Sequence, residues 1–210
     1  AAVLAQVVLW TTVGLIYLMI EGHLSLTSLW FGHPVIVPIT VVQFVAVSGL
    51  LVSATWVRNR TPAKWAIINE NVKWFFSLLL LSFVLLSMIT IATEQEFFTV
   101  LGLNEPLVPY IVHPGYPSLA TELCFLLIAA WGMLPFNGLR RLVVAIISFS
   151  ISLYAIVGHL FKMPTVFFYL PNISSGIALL TAILLSLSSL ALIIMSVKWR
   201  YFHTPWRGEL

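Results

Sequence analysis

Ser118 to Pro135, SLATELCFLLIAAWGMLP, reads as one apolar helix with Glu122 as its single charge, opened by Pro117 and Ser118 and closed by Pro135. Its pattern occurs twice more. Thr40 leads TVVQFVAVSGLLV and Thr181 leads TAILLSLSSLALII, as Thr121 leads TELCFLLIAAWGML. Four positions after each Thr comes a large apolar residue: Phe44, Phe125 and Leu185. A Pro-, Gly- or Ser-containing loop precedes each segment, and another long apolar run precedes the loop. A fixed order of features repeated along a chain is the mark of repeat architecture, here three helical hairpins spaced by 81 and then 60 residues.

The 210 residues are 60% hydrophobic and 8% charged, with a mean hydropathy of +1.05. Soluble domains carry about 25% charge, so the chain is expected to be an all-α integral membrane protein. About 20 apolar residues cross a bilayer. Six such runs can be drawn, near 2–20, 35–56, 74–93, 118–135, 142–161 and 175–197, the fourth being short and extending into its loop. Runs such as SLLLLSFVLLSMITIA lack the alternation of a membrane β-barrel. A single domain over 1–210 follows, with hairpin units of about 1–60, 70–136 and 138–200.

Basic residues assign the sides. Arg58, Arg60, Lys64 and Lys73 lie between spans two and three, Arg140 and Arg141 between four and five, and Lys198, Arg200 and Arg207 after span six. Lys162 alone falls in an opposite loop. By the positive-inside rule both termini are cytoplasmic, in a cell inner (plasma) membrane. The net charge of +3 sits at these membrane flanks and gives no nucleic-acid footprint. The inner connection VRNRTPAKWAIINENVK is expected to lie on the leaflet as a short amphipathic helix anchored by Trp56, Trp65 and Trp74, its basic residues attracted to anionic lipid. Pro38 falls inside the first turns of span two, where it can tilt or kink the helix. The chain starts at Ala1, as expected of a processed product or a piece of something longer.

Candidate chemistry is sparse. Cys124 stands alone within a span, which rules out an intrachain disulfide and a four-Cys metal site. There is no Asp, no HExxH, no GxSxG and no Gly-rich phosphate loop, so no catalytic residue is assigned and catalysis is not expected. What remains is an outward-facing polar set: Glu21, His23, Glu94, Glu96, His113, Glu122 and His159. If the hairpins pack about a common axis, repeat-equivalent ends converge on one mouth able to bind a small molecule or respond to protons. Glu122 has two readings. It either favours its helix N-terminus near the interface or contacts a ligand or proton. His23 and His159, in the matching Gly22-His23-Leu24 and Gly158-His159-Leu160, would make an axial haem pair if hairpins one and three touch; His33 and His113 are a second repeat-related set. The usual role of His at the ends of spans is a bond to backbone or water.

Pro117 to Leu127 (PSLATELCFLL) and Tyr154 to Leu190, with GHLFKMPTVFFYLP and GIALLTAILLSLSSL, resemble the multi-pass N-terminal membrane-associated sensor region of bacterial sensor histidine kinases and diguanylate cyclases. The Thr-Ala step of that pattern is intact only at Thr181-Ala182. The resemblance implies a membrane signal-input module that binds a small or lipophilic signal and passes a helix shift through span six to a cytoplasmic signalling domain or partner. Ser148, Ser150 and Ser152 on span five and Ser186, Ser188 and Ser189 on span six would let those helices approach closely. A second reading is an accessory subunit of a larger membrane complex, holding lipid, quinone, haem or pigment. No cofactor is identified, and both partner membrane subunits and self-association into a homo-oligomer stay open. A transporter is disfavoured, since mid-membrane charge and matched broken helices are lacking.

Overall fold

The structure, a computed structural model, describes residues 1–21, 23, 34, 36–56, 63–93, 117–134, 138–170 and 174–203. Among them are six helices and no β-strand: α1 (Ala2–Ile20), α2 (Pro38–Trp56), α3 (Ala63–Thr93), α4 (Leu119–Met133), α5 (Gly138–Leu160) and α6 (Leu179–His203). Five are long and apolar enough to cross a bilayer, and α4 is a shorter apolar helix of 15 residues. This is the architecture of a multi-pass membrane protein.

The surface of α1 shows why lipid is the solvent. Ala5, Val8, Thr12 and Leu15 form its buried stripe, whereas Val3, Val7, Trp10, Val13, Tyr17 and Ile20 are exposed at helical spacing on the other side. A helix apolar all round satisfies both faces only when one of them meets hydrocarbon.

Several boundaries differ from the sequence expectation, each for a local reason. Pro38 is the first residue of α2 and so bends nothing, because its missing N–H is one the first turn leaves unpaired anyway. The expected separate interfacial helix is, from Ala63 onward, the start of α3, which runs unbroken for 31 residues. No Gly or Pro interrupts it, and the Lys73–Glu70 pair supports one face. Nor does α4 extend into its preceding loop. Ser118 adopts an extended backbone and its Oγ accepts from the Thr121 N–H, and Leu134 is extended at the other end.

Each helix packs on its chain neighbour, α6 also packs on α1, and α2, α4 and α6 touch one another inside the bundle. Around Phe44, Phe125 and Leu185, all fully buried, the core is continuous. Phe44 and Phe125 meet edge to face at 5.1 Å. Hydroxyls bond across the helices: Ser189 to Ser148 at 2.8 Å, Ser186 to Ser152 at 2.9 Å, Thr12 with Ser48 at 3.1 Å, and the Trp131 indole N–H to Ser196 at 2.9 Å. Such bonds are worth about 0.6 kcal/mol each in a bilayer, because the separated helices find other partners. At the end of α4, Arg141 donates from Nε and Nη2 to the Leu134 carbonyl and lies 5.1 Å from the Trp131 ring.

The chain leaves α5 through a Schellman turn. Met163 N–H bonds the Gly158 carbonyl at 2.9 Å, Lys162 N–H bonds that of His159 at 3.3 Å, and Lys162 is left-handed at φ 55°. Glycine is the residue suited to that conformation. Lys162→Gly is therefore expected to raise stability by about 1 kcal/mol, read as a higher unfolding midpoint in detergent.

Candidate ligand site at three helix starts

α2, α4 and α6 begin at the same end of the bundle, and a cavity of about 20 Å³ lies between their first turns. That is room for a water or a small ion. Each helix supplies the same two positions, the residue before its first turn and the third residue of that turn: Val37 and Thr40 from α2, Ser118 and Thr121 from α4, Ala178 and Thr181 from α6. Thr40, Thr121 and Thr181, each the third residue of its helix, thus line one cavity. Pro34, Pro117, Ser175 and Gly176 also line it, and among the described residues no charged side chain does.

Its hydroxyls are unequally satisfied. Thr121 and Ser118 bond each other at 2.8 Å. Thr40 and Thr181, each 2% exposed, make no side-chain hydrogen bond among the described residues. The backbone differs too. Thr40 N–H bonds the Val37 carbonyl and Thr121 N–H bonds Ser118, but Leu179, Leu180 and Thr181, behind the non-capping Ala178, donate to nothing among the described residues.

One turn deeper on α2, Gln43 reaches α4. Its Nε2 donates to both oxygens of Glu122, at 3.0 and 2.9 Å, and both residues are fully buried. Ser87 of α3 faces the same carboxyl from outside hydrogen-bond geometry, and its Oγ and Gln43 Oε1 are unpartnered. Glu122 therefore faces the protein interior rather than the membrane interface, in the first turn of α4 where the helix dipole favours a negative group.

His159 is also buried. Its Nε2 lies 2.6 Å from the Ile177 carbonyl and its ring stacks on Phe167 at 4.5 Å. This joins the end of α5 to the segment leading into α6. His159→Ala is expected to loosen residues 161–178, so that trypsin cuts after the exposed Lys162 at least several-fold faster.

The titratable set is dispersed where it is described. Glu21 and His23 are exposed beyond α1, Glu122 and His159 are buried on different partners, and none of the four lines the cavity. Glu94, Glu96, His33 and His113 lie outside the described residues. Sequence reasoning passed over Gln43, although an amide in an otherwise apolar helix was a visible signal, and used the Thr only as repeat markers. No protein-family model, curated protein or solved structure matches the chain.

Proposed function

We propose that the chain is a membrane sensory module with its input at the cavity between α2, α4 and α6. In this reading all six helices span the inner membrane as three related hairpins, with both termini cytoplasmic. The observation that carries it is the meeting of Thr40, Thr121 and Thr181, from equivalent positions on three helices, around one cavity. Glu122 and Gln43 tie α2 to α4 just below, and His159 ties α5 to the start of α6, so occupancy bears on helix positions. Of the three, α6 is the longest, running 25 residues from the cavity to His203, and it carries the displacement to a cytoplasmic output domain or partner. A signal shifts such an equilibrium only as far as it binds the two packings unequally.

The test uses a substitution that fills the cavity. Spin labels at the exposed Arg140 and at Val197 report the position of α6 against α5 at the cytoplasmic end. Thr181→Leu should move the two labels by about 1–2 Å relative to the unsubstituted chain, the scale of helix shifts in signalling proteins. An unchanged distance in a folded variant removes this reading. Cysteines at Glu21 and Arg140 should label from opposite sides of the membrane.

The exposed apolar face of α1 favours a second reading, an accessory subunit of a larger membrane complex. Extraction from its native membrane in mild detergent as a particle of one chain would count against it.

A further inference from the structure

We infer that the cavity between α2, α4 and α6 binds a small monovalent anion of halide size. This rests on the reading of that cavity as the signal site and adds the chemical class of the ligand.

Three observations converge. First, the wall is built from three helix starts. Each N-terminus carries about half a positive charge from its aligned peptides, so together they place about one and a half positive charges around a single point. A cation is repelled there and an anion attracted. Glu122 offsets part of this field, but its carboxyl is held by Gln43 and lies outside the wall.

Second, the donors left over are those an anion takes. The Thr40 and Thr181 hydroxyls, nine-tenths buried or more, line the cavity without a hydrogen bond among the described residues. Among the described residues the first-turn N–H groups of α6 donate to nothing, whereas α4 has its own cap in Ser118 and α2 closes on Val37. A backbone start of this kind with added hydroxyls is a ready anion cradle. Third, the space suits a small ligand. About 20 Å³ takes one water-sized or halide-sized particle.

Titration of the purified full chain with sodium chloride or bromide against sodium gluconate, at constant ionic strength, tests this. The expected result is a saturable rise in the unfolding midpoint with either halide and none with gluconate, together with chloride-35 line broadening that bromide displaces. Choline chloride should act as sodium chloride does. Thr40→Val with Thr181→Val should weaken the apparent halide affinity at least tenfold, and Thr11→Val, on the exposed face of α1, should leave it unchanged.

Equal effects of halide and gluconate, a dependence on sodium rather than on the anion, or a double variant that titrates like the unsubstituted chain would each overturn the inference. If the double variant does not fold, the halide competition on the unsubstituted chain decides. Halide binding without movement of the labels at residues 140 and 197 removes the sensory reading and leaves anion binding standing. Labels that respond to Thr181→Leu while no halide binds remove the anion and leave the sensory reading.

Discussion

Gly158→Ala is expected to cost about 3 kcal/mol, the upper part of the range for overpacked sites, read as a fall in the unfolding midpoint in detergent. A methyl group there would come within 2.7 Å of the Phe167 backbone nitrogen and the Val166 carbonyl carbon, and within 2.9 Å of the Val166 Cβ. Backbone atoms cannot rotate away. The segment that carries Phe167, itself 1% exposed and stacked on His159, would have to lift from α5. Two comparisons isolate the cause. Gly14→Ala meets nothing within 4 Å and should leave stability unchanged or slightly higher. Gly132→Ala meets mainly the Ser77 side chain, with Leu50 Cδ1 at 2.9 Å, so Ser77→Ala should recover much of its loss, whereas no side-chain deletion recovers Gly158→Ala. A Gly158→Ala midpoint equal to that of Gly14→Ala would mean the loop does not sit on α5 as described.

The second large effect lies at the α2–α4 contact. Gln43→Leu removes both donors from the buried Glu122 carboxyl and should destabilise by about 3 kcal/mol, because the group left behind is desolvated and unpaired. Gln43→Leu with Glu122→Leu removes both polar partners and should return to within about 1 kcal/mol of the unsubstituted chain. The coupling in the double-mutant cycle is then at least about 2 kcal/mol, and larger by whatever Glu122→Leu costs alone. Strictly additive losses would show that the two side chains do not depend on each other. Glu122→Gln keeps an amide against an amide and should cost less than Gln43→Leu.

Gln43 also shows how far the sequence could be followed. An amide within an apolar helix is visible as an anomaly, but nothing in the one-dimensional pattern says that it meets Glu122, 79 residues away. Glu122 was open to two readings because its place near a helix start is compatible with the interface and with the interior alike. Only the packing of α2 against α4 separates them. His159 was similar. Its echo of His23 in a matching tripeptide suggested a shared role, yet one ring is buried on Phe167 and the other is exposed beyond α1. Tripeptide identity sets local backbone preference and says little about which surface later covers a side chain.

Helical class and apolar surface were in the sequence itself, because hydrocarbon admits only helices and closed barrels, and the apolar runs lack the alternation of a barrel. A chain 60% hydrophobic and 8% charged has few other ways to satisfy its backbone N–H and C=O groups. Thr40, Thr121 and Thr181, each the third residue of its helix, could be picked out from their place behind a Pro-, Gly- or Ser-containing loop. What they surround was decided by tertiary structure alone. Whether three hydroxyls face lipid, a neighbouring helix or one another depends on the rotation of each helix about its axis. Helices apolar on every side leave that rotation to the fit of Phe44, Phe125 and Leu185 in the common core.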